Sequence, residues 1–197
     1  MMYIDFHTHH VPQSRDVVAV VDGRDTWGIH PWRATEEFSV PDLTGKIAIG
    51  ECGLDACCGI DLRLQKEVLT LHVALADATA RVLILHCVKA LDLLLKMHKE
   101  LIPKQLWMLH GFRGKPQQLR SLLDAGFYVS FGYRHNDESL RICPIDRMLL
   151  ETDNDPAHPI QEIYNNVARK RGLEVTELCE AMLKNYRAFF QKEPLLI

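Results

Sequence analysis

Asp5-Phe6-His7-Thr8-His9 marks the point where an apolar run, Met2-Tyr3-Ile4, hands over to two histidines separated by one residue. Side chains alternate along an extended chain, so His7 and His9 point to the same side. Two imidazoles converging at a strand end can hold one divalent cation, and neutral imidazole is the commonest metal ligand among side chains. An isolated His-x-His near a terminus also suits two surface histidines, so the rest of the chain must decide between the two.

Outward from this stretch, short β-rich runs alternate with helical segments. Val17 to Val21, Thr26 to Ile29, Lys46 to Gly50, Val82 to Leu85, Gln105 to Leu109, Phe127 to Phe131 and Met148 to Leu150 read as further strands. From Leu62 the period changes, and Leu64, Val68, Leu71, Leu75 and Ala78 form one helical stripe. Helices are also expected over Leu91 to Leu101 and over Pro116 to Ala125, the latter ended by Gly126. The tail predicts two more, about Ile160 to Arg171 and Val175 to Gln191, with Gly172 between them. Strands alternating with helices argue for parallel pairing in an α/β fold, and eight such strands argue for closure into a TIM-type (β/α)8 barrel. The spacing leaves no room for helices after strands 1 and 2, so the barrel is expected to be shortened. Val17 to Val21 is apolar on both faces, as a buried strand is, yet nothing beside it in sequence can cover its outer face. A C-terminal helix or the second copy of a homodimer is expected there.

At 197 residues the chain suffices for a single domain, expected over 1–197, and is too short for two ordinary enzyme domains. Its 47% hydrophobic and 25% charged residues are average for soluble proteins, with no membrane-length apolar run and no secretory signal. Six cysteines without export signals suit reduced thiols in a cytoplasm better than a disulfide framework. Net charge of −3 gives no global attraction to nucleic acid, so any phosphate recognition must be local.

The polar residues fall at the carboxyl ends of the strands: His7 and His9, then His30, Glu51, His86, His110 and Glu151-Thr152-Asp153. In a parallel barrel those ends gather at one mouth, where such enzymes build their sites. With its DFHTHH, GIHPW, GECGLD, LILHC, LHGFRG, YVSFG and LLETDNDP motifs in order and LKNYRAFF near the end, the chain resembles the TatD family of metal-dependent hydrolases, amidohydrolase-like barrels that include deoxyribonucleases.

That resemblance implies two divalent metals. His7, His9 and Asp153 would hold one, His86 and His110 the other, and Glu51 would bridge both, while Asp153 would also orient or deprotonate the attacking water. Mixed imidazole and carboxylate ligation suits Zn, Mn, Fe or Ni better than an all-oxygen Mg site, and does not choose among them. His30 and Arg113 are the candidate substrate contacts, with Arg33, Lys89, Lys115 and Arg134 further cations on the same loops. Trp32 and Phe112 offer flat apolar surface to a ring, although packing is the ordinary role of rim aromatics. The family usually carries an arginine two residues after His86, where this chain has Val88 followed by Lys89. The favoured activity is phosphodiester hydrolysis on single-stranded DNA ends or small nucleotides. Hydrolysis of a C–N or C–O bond in a small molecule is the alternative, and metal binding without turnover a second.

Overall fold

Strand β1 (Tyr3–Thr8) is buried along all but its first residue, and it pairs in parallel with β2 (Val17–Val21). A second, wholly parallel sheet runs in the order β3 (Thr26–Trp27), β4 (Ala48–Asp55), β5 (Val82–Val88), β6 (Trp107–Leu109), β7 (Tyr128–Phe131) and β8 (Met148–Leu150). This computed structural model describes residues 1–35 and 37–194, so the last three residues of the expected domain lie outside those described. Helices α1 (Leu62–Thr79), α2 (Leu91–Leu101), α3 (Pro116–Asp124), α4 (Asp137–Ile142), α5 (Ile160–Arg171) and α6 (Val175–Phe190) follow the later strands. The alternation read from the sequence is thus present from β4 onward. Only α4 was not anticipated; it is a short helix started by Asn136, whose side chain accepts from the Ser139 N–H at 2.9 Å.

No helix separates β1 from β2 or β2 from β3, as expected. The connection from β3 to β4 is also stripped, carrying only a one-turn 3-10 helix at Pro31–Arg33 among the described residues. Side chains replace backbone pairing at the two seams between the sheets. At the β8–β1 seam the buried Tyr164 hydroxyl accepts from the Ile4 N–H at 3.0 Å and donates to the Ile4 carbonyl at 2.9 Å. There too the Asp5 carboxylate accepts from the Thr152 N–H (3.0 Å) and hydroxyl (2.7 Å), and burial pushes its carboxyl up to about 7. A single bridge joins Thr8 to Asp153. At the β2–β3 seam Asp25 accepts from the Val21 N–H at 2.8 Å, and Asp22 accepts from the Thr26 hydroxyl at 2.8 Å and from the Glu51 N–H at 3.2 Å. Buried backbone polar groups must find partners, and here acidic and phenolic side chains provide them.

The outer cover comes from the C-terminal helices. Both α5 and α6 pack on β1, and α6 also packs on β8. The Phe6 ring stacks on Phe190 with centroids 6.2 Å apart, and each such buried ring contributes roughly 1.5–3 kcal/mol. Val17 and Val18 at the start of β2 remain half-buried.

Several strand ends differ from the sequence reading: β1 runs on to Thr8, and β3 stops at Trp27 rather than Ile29. The fourth and fifth strands were expected to stop at Gly50 and Leu85, putting Glu51 and His86 just beyond them, but β4 and β5 continue to Asp55 and Val88. They go on pairing past the mouth, with Gly53 opposite His86 and Asp55 opposite Val88, after a register shift between Ile49 and Cys52. Glycine makes this extension feasible: Gly53 has φ of 141°, and a Cβ there would lie 2.0 Å from the His86 carbonyl oxygen.

Candidate metal centre

Side chains from β1, β4 and β5 and from the turns after β1, β6 and β8 converge on Glu51, which is 6% exposed. Its two oxygens face different partners. Oε1 lies 2.8 Å from His86 Nδ1, 2.7 Å from His110 Nε2 and 3.2 Å from His30 Nε2. Oε2 lies 3.5 Å from His7 Nε2 and 3.6 Å from His9 Nε2. Asp153 Oδ1 completes the second group, 3.7 Å from His7 Nε2 and 3.5 Å from His9 Nε2. Asp153 reaches this place because its backbone is tied to β1: its N–H donates to the His7 carbonyl at 2.9 Å, and its own carbonyl accepts from the His9 N–H at 3.0 Å. Its φ of 55° is the left-handed conformation that aspartate tolerates better than most residues.

The electrostatics of the cluster favour positive charge. Burial raises a carboxylate, yet the buried His110 imidazole, with its hydrogen bond, and His30 beside it hold Glu51 far below the usual range. Asp153 is likewise held low against its burial by His9 and His110. Hydrogen bonds to Asp153 and Glu51 raise His9 to about 10. His110 is pushed well above its ordinary value because Glu51 and Glu151 outweigh its burial. Groups able to hold a cation are His7, His9 and Asp153; His7, Glu51 and His110; and His30, Glu51 and His86. His7 is 0% exposed, and neither of its ring nitrogens has a hydrogen-bond partner. A fully buried imidazole left this way is suited to a metal, since an unsatisfied polar group there is otherwise costly.

The outward nitrogens of three of these histidines face further carboxylates. His86 Nε2 lies 3.4 Å from Asp55, His110 Nδ1 3.5 Å from Glu151, and His9 Nδ1 3.8 Å from Asp22. Carboxylates in such positions orient metal-binding imidazoles and raise their basicity. His30 behaves differently: its Nδ1 accepts from the Trp32 N–H at 3.2 Å, which leaves the proton on Nε2, facing Glu51. It therefore donates to the cluster rather than offering it a lone pair.

Two cavities open beside the centre, of about 780 Å³ and 240 Å³, and Gly111, Arg113 and Asp153 line both. Lys89 joins the larger and Arg134 the smaller, whereas Arg33 and Lys115 line neither. Arg113 is exposed at this rim and does not touch the cluster. Of the rim aromatics, Phe112 is packed edge-on against Phe131, while Trp32 is 61% exposed.

Residues 4–191 match the family of TatD-related DNases. The chain belongs to the TatD family. It is similar to the uncharacterized metal-dependent hydrolase YcfH of Escherichia coli K12, with 27% identity over 83% of this chain and 72% of that protein. It is also similar to the 3'-5' ssDNA/RNA exonuclease TatD of Erwinia tasmaniensis, with 28% identity over 84% of this chain and 77% of that one. Its fold resembles the crystal structure of YjjV, a TatD homologue from E. coli K12, with a TM-score of 0.73 and 22% identity over 91% of this chain and 79% of that one. This TatD chain is accordingly a metal-dependent hydrolase.

The structure brings His7, His9, Glu51, His86, His110 and Asp153 of this TatD chain together, with His30 beside Glu51. Glu151, also read as a strand-end candidate, points away from Glu51 and instead holds the Gly111 N–H and His110. The supporting roles of Asp22 and Asp55 were missed, as was that of His72 on α1, whose Nε2 accepts from the Ile29 N–H beside His30 at 2.9 Å. Asp55 stands in the GECGLD motif and was open to notice. Asp22 and His72 carry no local signal.

Proposed function

We propose that this chain hydrolyses phosphodiester bonds at the ends of single-stranded DNA or in small nucleotides through a metal-activated water. The observation that carries the reading is the division of the Glu51 carboxylate, one oxygen toward His86 and His110 and the other toward His7 and His9, which in turn face Asp153. In this reading His7, His9 and Asp153 would hold one divalent cation, His86 and His110 would hold a second, and Glu51 would serve both. Such a pair supplies Lewis acidity toward a phosphoryl oxygen and a lowered pKa for the attacking water. Asp153 is one-third exposed where Glu51 and His110 are buried, and it borders both cavities, so water reaches it first. Its carboxylate, kept ionised by His9, orients that water and takes its proton. Arg113 and Lys89 face the larger cavity and hold phosphate oxygens, and His30 donates from Nε2 to Glu51 or to substrate.

Among the described residues no helix is long and apolar enough to cross a membrane. All six cysteines are unpaired, which suits a reducing cytoplasm. Pairing of two copies through the wall at Val17–Val21 follows from its half-buried start, and a monomer in sedimentation overturns that. The activity is tested on a chromogenic phosphodiester and a labelled single-stranded DNA, with Mn, Zn or Mg, beside a chelator-treated control. Metal-dependent cleavage supports the reading. Silence on both substrates, with metal bound by elemental analysis, transfers it to a C–N or C–O bond.

A further inference from the structure

Trp32 is the one exposed aromatic side chain, histidines aside, among the described residues, and folding alone does not account for it. Its indole N–H donates to Asp55 Oδ2 at 2.6 Å, and Asp55 is 4% exposed. The other Asp55 oxygen accepts from the Cys57 N–H at 2.7 Å, and the backbone of Asp55 is fixed at both N–H and carbonyl by Gln65. From the other end the Trp32 backbone is held by Pro31 and by its bond to His30. A buried carboxylate thus anchors a ring whose surface stays in water. A core indole gains stability by burial, whereas this one is immobilised while exposed, so the ordering cost of a contact has already been met.

The location of the ring narrows its use. Its centroid is 4.8 Å from that of His30 and 6.1 Å from that of His86, whose Nδ1 touches Glu51. Trp32 lines neither cavity; the larger opens beside His86, His110 and Asp153, with Arg113 at the rim of both. We infer that Trp32 is a stacking platform for the terminal nucleobase of a single-stranded substrate, held in place by Asp55, with the scissile phosphate over Glu51 and the remaining chain in the larger cavity. This rests on the phosphodiesterase reading above. Stacking accepts any base, because every base has a π-face.

The experiment measures binding apart from turnover. Fluorescence anisotropy compares two dye-labelled DNA trinucleotides with phosphorothioate linkages, one ending in adenine and one in an abasic sugar, on the metal-loaded protein. The expected result is about tenfold tighter binding of the base-ended strand by the natural protein. Trp32→Ala should lose that preference while binding the abasic strand unchanged, and Trp32→Phe should keep most of it. Equal affinities in the natural protein, a preference that survives Trp32→Ala, or no binding of either strand overturns the platform. A base preference without cleavage of the phosphodiester-linked counterpart defeats the nuclease reading alone.

Discussion

His72 ties the fold to the site and permits a prediction with a definite sign. It lies on α1 at 0% exposure, with Nδ1 2.8 Å from the Val68 carbonyl and Nε2 accepting the Ile29 N–H at 2.9 Å, one residue before His30. The ring must be neutral to accept that bond, and burial pushes it down to about 4 against the pull of the Val68 carbonyl. A depressed histidine contributes stability that is fully present above its unfolded value of about 6.5 and is lost as pH falls toward 4. The full linkage is about 2.5 pH units, or roughly 3.4 kcal/mol, of which roughly 2.6 kcal/mol is gone by pH 4.5. His72→Leu orphans the Ile29 N–H, which costs about 1–3 kcal/mol at pH 7.5, but removes the proton linkage. Urea unfolding of both proteins in chelator, from pH 7.5 to 4.5, should show the deficit of the variant shrinking and vanishing or reversing. A difference constant across that range refutes the reasoning, because His72 would then titrate alike in the folded and unfolded chain.

Asp153→Asn should lower hydrolysis about 10²–10⁴-fold while elemental analysis still finds metal, and undiminished turnover removes the assigned role. Gly53→Ala places a methyl 2.0 Å from the His86 carbonyl oxygen at a φ of 141°, so thermal unfolding should show a loss of at least ~3 kcal/mol or no soluble protein. Chelation should lower the thermal midpoint reversibly; metal at a hundredfold excess over its dissociation constant corresponds to about 2.7 kcal/mol. An unchanged midpoint in chelator contradicts a cation bound to the folded state.

The alternation of parallel strands and helices was legible because the strands carry apolar runs and the helices carry stripes, each with its own period. The candidate site residues were legible because their polar motifs follow apolar strand runs. What escaped depends on distance along the chain. Asp22, Asp55 and His72 reach His9, His86 and Ile29 from 13 or more positions away, and no period marks such a partner. The extension of β4 beyond Glu51 escaped for a different reason. Gly50 and Gly53 read as strand breakers, but close approach to β5 makes glycine the residue that lets pairing continue. Trp32 shows the limit of composition, since an exposed ring and a packed one are the same letter.

The two seams give the site a mechanical meaning. His7 lies on the two-stranded sheet and His9 just after it, whereas Glu51, His86, His110 and Asp153 lie on the other sheet or the turns after it. A cation gripped from both sides, as proposed above, would be a clasp, closing a wall that backbone ladders leave parted. Occupancy then sets how often the β1–β2 flap swings free, and amide exchange in chelator should quicken first at Val17–Val21 while the β5–β7 ladder stays protected.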